Sequence, residues 1–244
     1  MRIIAPIVIA LGVLAVALRA STALACGVSG PEGLSACSLE EHQESTRPKW
    51  RVGASGVYTS TTLRFSDDVR GDETRNAILA LVAYHPTRFF AIHAGAGAGF
   101  AGHLEMPDGT YDFSPGPAAV VGATWRVLEA QPFLMLTSQL SFSAARTQRS
   151  GTQEATIGYE AFDLRLGALF GTTLFDLVSP YAAARVFGGP VFWHYQGASV
   201  TGTDLYHYQL GAGVAVLVAS RVDVFAEGIP LGERALSAGL NVAF

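Results

Sequence analysis

The chain has 244 residues, half of them apolar and only 15% charged, with 16 basic and 20 acidic side chains. That permits one domain of ordinary size but leaves few charges for a water-facing surface, and the acidic balance argues against nucleic acid as a partner. A helical membrane protein would need several apolar runs of about 20 residues. Only the N-terminus approaches one, so that class is excluded.

The N-terminus has the three parts of a secretory signal: Arg2 beside Met1, an apolar run from Ile3 to Leu18, and the small-residue site Ala23-Leu24-Ala25. Residues 1–25 therefore read as a signal peptide cleaved after Ala25. Without Arg2 and Arg19 the remainder carries 14 basic against 20 acidic residues. Cys26 follows the site directly, but Ala23 stands where a lipobox carries Leu, which disfavours lipidation. Cys26 and Cys37 are the only two cysteines. With no CxxC spacing and no partner histidine, they read as a structural disulfide formed in an oxidising periplasm rather than as a metal or redox pair. Residues 26–49 are polar and turn-rich, a periplasmic N-terminal segment ahead of a main fold at 50–244.

From Trp50 onward, segments rich in Val, Leu, Phe, Tyr, Thr, Ala and Gly are separated by turn residues. Strands are expected at 50–66, 74–85, 89–105, 116–128, 132–145, 156–171, 179–195, 204–219, 221–229 and 233–244. The clearest period of two lies at 162–170, where Phe162, Leu164, Leu166, Ala168 and Phe170 alternate with Asp163, Arg165, Gly167 and Leu169. Residues 90–105 repeat the pattern with Gly95, Gly97 and Gly99 on one face, a composition that suits a helix poorly. The polar stretches 67–73, 106–114, 146–155 and 196–203 largely alternate with shorter turns, as in an up-and-down barrel with long loops at one end. The count is about ten strands, with eight or twelve as alternatives. Asp67, Asp68, Asp72 and Glu73, beside Arg70 and Arg75, read as a solvated first loop.

The less greasy face of these strands offers Gly, Ala, Ser and Thr with single charges, which suits a narrow interior. The Leu- and Phe-rich face suits lipid. In hydrocarbon every backbone amide needs a protein partner, and a closed barrel supplies one without an exposed edge. The fold class is therefore all-β: a closed antiparallel up-and-down transmembrane β-barrel. Trp125, Phe133, Phe170, Tyr181, Trp193 and Tyr206 are expected in the girdles at the two membrane interfaces. Alternation places Arg64, His93, His103, Glu105, Arg126, Asp163, Arg165, Arg185, His207, Asp223 and Glu227 in the lumen, with Gln139 and Gln209 among them. These residues either fill the bore as an ion-pair network or line a narrow passage for a small solute, with Gly95, Gly97, Gly99, Gly167, Gly211 and Gly213 leaving room. His103, Glu105, Ser141, Ser143, Asp204 and His207 fall near the outer rim, the place for a barrel hydrolase. No family motif surrounds them, and a non-catalytic protein is expected. No phosphate loop, HExxH helix or EF-hand is present, so no cofactor or metal site is expected.

The final strand puts apolar residues at every second position and ends on Phe244, with Leu240 and Val242 before it. In this it resembles the signature by which Gram-negative outer-membrane proteins are recognised by the barrel-assembly machinery. With the signal segment and the strand series, residues 50–244 are similar to the small outer-membrane β-barrel proteins of the OmpW, OmpX and OmpA-barrel type. The resemblance implies an outer-membrane location and assembly route rather than an activity. The partners it implies are outer-membrane lipid, lipopolysaccharide and the assembly machinery, for a monomer. The functional expectation is a structural or narrow-passage barrel. The alternatives are a surface interaction protein that binds through its outer loops, or a lipid hydrolase.

Overall fold

The computed structural model describes the backbone of residues 26–29 and 34–37, and residues 49–128, 131–152, 156–194 and 199–244. The signal peptide expected at 1–25 and the side chains of Cys26 and Cys37 lie outside what is described. β1 (Cys26–Ser29) and β2 (Leu34–Cys37) form an antiparallel hairpin whose register sets Cys26 opposite Cys37.

The main sheet contains β3 (Trp50–Phe65), β4 (Arg70–Tyr84), β5 (Phe90–Met106), β6 (Gly109–Phe113), β7 (Gly116–Arg126), β8 (Phe133–Arg149) and β9 (Ile157–Gly171). It continues with β10 (Val178–Gly188), β11 (Val191–Trp193), β12 (Val200–Asp204), β13 (Tyr208–Ala219), β14 (Val222–Gly232) and β15 (Arg234–Ala243). At the end that holds Trp50 and Phe244, ten strands close into a ring: β3, β4, β5, β7, β8, β9, β10, β13, β14, β15 and back to β3, every pair antiparallel. The Phe244 amide donates to the Trp50 carbonyl at 2.8 Å and completes the seam.

Three passages through the wall are interrupted, at Ser114-Pro115 between β6 and β7, Gly189-Pro190 between β10 and β11, and Leu205–His207 between β12 and β13. Pro115 and Pro190 have no amide hydrogen to give a ladder. The β14–β15 hairpin turns at Glu233, short of its neighbours. Beyond that turn β12 pairs directly with β3, Gly202 opposite Phe65 and Asp204 opposite Leu63. The far end therefore closes with eight strands: β3, β4, β5, β6, β8, β9, β11 and β12.

The two ends have opposite polarity. Around the ten-stranded part, Ile78, Val121, Leu136, Leu164, Leu166, Leu236 and Leu240 point outward and are exposed. Trp50, Phe90, Trp125, Phe170 and Phe244 ring the near edge of this band, and Tyr58, Phe100, Phe162 and Tyr208 ring its far edge. From Trp50 to Tyr58, or from Phe162 to Phe170, is nine residues, the length of a tilted strand that crosses a bilayer, about 9–11 residues. Past the far edge the outward positions become Ser60, Thr62, Arg64, Thr74, His103, Glu105, Arg146 and Glu160. The inward ones become Leu63, Phe65, Leu104, Tyr111, Phe113, Tyr159, Val191 and Trp193, all buried. The eight-stranded head thus has the polarity of a water-soluble barrel.

A bulge makes the reversal on β5. Arg75 pairs with Gly102 and Asn76 with Phe100, leaving Ala101 unpaired at φ +48°. One extra residue moves every later side chain to the other face, so His93 points inward while Leu104 replaces His103 and Glu105 as the inward residue.

The expected polar loops are shorter than the composition implies. Residues 70–73 belong to β4, and most of 106–114 forms β6 after a turn at Pro107-Asp108. Asp108-Gly109, with Gly109 at φ +150°, is a hairpin signal that the alternation of Gly109, Tyr111 and Phe113 reinforces.

Candidate functional site: a layered bore

Four polar layers and two apolar ones line the bore. Nearest the chain ends, Arg51 Nη1 lies 3.4 Å from Asp223 Oδ2, and Asn241 Nδ2 donates to Asp223 Oδ1 at 3.0 Å. Beside them Phe133, Met135, Leu169, Tyr181 and Ala183 form an apolar cluster, with the Arg126 guanidinium 5.8 Å from the Phe133 ring. Next, Arg185 Nη2 meets Glu227 Oε2 at 2.9 Å, both side chains almost fully buried. Above them Arg165 pairs with Asp163 through Nε and with Glu233 Oε2 through Nη2 at 3.0 Å, its guanidinium 5.0 Å from the Phe187 ring. The fourth layer is Glu73 with Arg75 Nε at 3.5 Å, and Arg75 also donates to Ser143 Oγ at 2.7 Å.

An aromatic and apolar cluster occupies the head. β4 and β9 stand on opposite sides of the eight-stranded ring, yet Tyr159 Oη donates to Glu73 Oε2 at 2.6 Å, so the two walls meet across the diameter. Trp193 packs edge-on against Tyr111 with centroids 5.0 Å apart, lies 5.7 Å from Phe65, and donates its indole N–H to Thr147 Oγ1 at 2.9 Å. Phe113 meets Tyr159 edge-on at 4.9 Å, and Arg75 lies over both rings at 5.0 and 5.5 Å. Each such aromatic pair contributes about 0.5–1.5 kcal/mol beyond its burial. Leu104 and Trp193 have no exposed surface.

No protein-family model matches the chain, and no curated protein does. Among solved structures it is similar to the outer membrane protease OmpT from Escherichia coli, at 12% identity and a TM-score of 0.50, over 84% of this chain and 99% of that one. The fold is that of an outer-membrane β-barrel. The chain is also similar to the translocator domain of the autotransporter NalP from Neisseria meningitidis, at 14% identity and a TM-score of 0.49 over 82% of this chain and 90% of that one. A third likeness is to the transport unit of the autotransporter AIDA-I from Escherichia coli, at 11% identity and a TM-score of 0.46 over 85% and 92%. At these identities the likeness is one of fold.

Of the charges expected in the barrel lumen, His93, Arg126, Asp163, Arg165, Arg185, Asp223 and Glu227 point inward, as do Gln139 and Gln209. Four do not. Arg64 faces out because β3 keeps one unbroken parity from Arg51 to Phe65. His103 and Glu105 face out because of the Ala101 bulge, with His103 Nε2 3.5 Å from Glu105 Oε1 and its Nδ1 3.1 Å from Thr74 Oγ1. His207 sits in the break between β12 and β13 and is exposed. The expected girdle divides likewise: Trp125, Phe170 and Tyr206 are outside, whereas Phe133, Tyr181 and Trp193 are inside the barrel.

Three of the inward glycines do not leave the expected room. The Arg185 side chain lies across Gly167, Tyr181 across Gly213 and Ile229 across Gly211, so each glycine is filled by a neighbour. Sequence reasoning missed the inward Arg51, Glu73, Arg75 and Glu233. For Arg51 the signal was parity with Leu63 and Phe65. Glu73 reads as the end of the first loop, Arg75 as lying beside that loop in the strand expected at 74–85, and Glu233 as the start of a strand.

Proposed function

We propose that this chain is an outer-membrane barrel that spans the bilayer through its apolar band, is closed along its axis, and serves as a non-catalytic scaffold that holds the eight-stranded head beyond the outer leaflet. The observation that carries the reading is the Trp193–Tyr111–Tyr159–Phe113 layer, which fills the head from wall to wall. Exposed leucines over the ten-stranded part favour contact with acyl chains, since monomeric soluble proteins rarely show so large an apolar surface. Leu240, Val242 and Phe244 lie on or next to that surface, where an assembly signal would be read. Lipid and lipopolysaccharide would be the surrounding partners, for a monomeric barrel with Cys26 and Cys37 bonded in the periplasmic hairpin.

The wall itself supports the non-catalytic reading. His103 and Glu105 stand outside it, while Ser141 and Ser143 stand inside, Ser143 occupied by Arg75. The test is current through the refolded full chain in planar bilayers. Silence is expected, and stepwise conductance would overturn the closed-bore reading.

A second reading, in which the head binds a partner, is favoured by its polar exterior. Segments 106–114 and 146–155 include wall strands, so deleting them would remove structure as well as surface. Outward substitutions such as Arg64→Glu and Glu105→Lys separate the readings, because they should reduce partner adhesion while leaving the fold intact.

A further inference from the structure

The ladder between the seventh and eighth passages of the wall has a gap. β10 and β13 pair as far as Val186 opposite Tyr208, with one more bond from the Phe187 amide to the His207 carbonyl, and pairing resumes only at Val191 opposite Gly202. Between these points the backbone turns elsewhere: Pro190 accepts from the Phe162 amide, and the Leu205 amide donates to Thr62. Phe187, with exposed His207 at a ring distance of 6.5 Å, stands at the gap.

Directly behind Phe187 lies the Arg165 layer. The Arg165 and Asp163 side chains are 20% and 14% exposed, against 2–4% for the pairs Arg51–Asp223 and Arg185–Glu227. These two groups lie between the aromatic layer above and the buried pairs below, with Phe187 between them and the gap. The carboxyl groups of Glu73, Asp163, Asp204 and Glu233 cluster here with the two guanidiniums of Arg75 and Arg165. Asp204 accepts a hydrogen bond from Thr61 at 2.9 Å. Two acceptors have no donor: Asp163 Oδ1 and, on the strand-pair partner of Arg165, Gln139 Oε1, whose residue is only 6% exposed. Buried acceptors without donors are costly, and a donor-rich cation relieves them.

We propose that this layer is a binding chamber for a small organic cation, a primary amine or guanidinium, which enters sideways between β10 and β13 past Phe187 and His207. Asp163 and Gln139 accept its hydrogen bonds, and the chamber is blind because the bore is closed above and below. The inference rests on the closed-bore reading for its single entrance.

The test is calorimetric titration of the refolded full chain in detergent micelles with putrescine at low salt. One saturable site is expected, lost in Asp163→Asn, whose folding is checked by its gel shift on heating. A second variant leaves the chamber untouched. In a Cys26→Ser, Cys37→Ser background, Gly188→Cys with His207→Cys bridges the gap, since a Cβ at 188 would lie 3.2 Å from the His207 ring. Oxidation should slow association about tenfold or more, and reductant should restore it. Absence of saturable binding, or binding indifferent to Asp163→Asn or to the bridge, overturns the proposal. A current in planar bilayers would count against the closed bore alone.

Discussion

Tyr159 on β9 donates its hydroxyl hydrogen to Glu73 Oε2 on β4 at 2.6 Å, across the full diameter of the eight-stranded ring. This bond joins the uppermost ion-pair layer to the aromatic head, so one contact ties together the two materials that fill the bore. Tyr159→Phe strips a buried carboxylate of a donor and should destabilise the barrel by about 1–3 kcal/mol. Urea unfolding in lipid vesicles, followed by tryptophan fluorescence, measures it. In a Glu73→Gln background the same substitution should cost measurably less, and equal costs would show that the bond contributes nothing.

Arg185 and Glu227 form the most deeply buried ion pair among the described residues, at 2.9 Å. Removing one partner strands the other charge, so Arg185→Met and Glu227→Leu should each cost about 3–5 kcal/mol, while the double variant should recover much of that loss. The same unfolding experiment reads all three, and strict additivity would refute the coupling.

Trp193 fills the centre of the head and hydrogen-bonds Thr147. Trp193→Ala should destabilise by about 3–5 kcal/mol, the usual cost of deleting a large buried aromatic. Trp125→Ala, on the outer face of the near girdle, should leave the head's resistance to protease unchanged. Limited proteolysis of both variants distinguishes them.

The Ala101 bulge fixes which side chains of β5 face water. In a cysteine-free background, His103→Cys should react with a membrane-impermeant maleimide within minutes, whereas Leu104→Cys should be protected. Reversed reactivities would mean that β5 continues without a bulge.

Outward Leu166 lies mid-band, and outward Thr62 lies on the head. Leu166→Arg should cost about 2–4 kcal/mol in a bilayer, as charges do on the lipid face at its midplane, while Thr62→Arg should be nearly neutral. Equal costs would place the bilayer boundary elsewhere.

Much of this was legible in the sequence, because side-chain alternation with a period of two is a local property. Phe162 to Phe170 announced both faces of β9 without any knowledge of its neighbours, and the ten strand passages follow from the same rule applied ten times. The inward Arg165, Arg185, Asp223 and Glu227 came with it. Composition failed where a polar-looking stretch was itself strand. Tyr111 and Phe113 lie in what reads as a loop, and only the pairing of β6 with β5 and β8 makes them core.

The sequence by itself determined the fold class, the apolar outer face and most of the lumen, since each depends on one strand and the solvent beside it. Tertiary structure alone decided how the barrel ends. The reduction from ten strands to eight needs β12 to reach β3 past a short hairpin, which no single strand encodes. The reversal of polarity at Ala101 depends on a register shift against β4. The meeting of Tyr159 with Glu73 brings together positions 86 residues apart, and that closure is a property of the ring rather than of any segment in it.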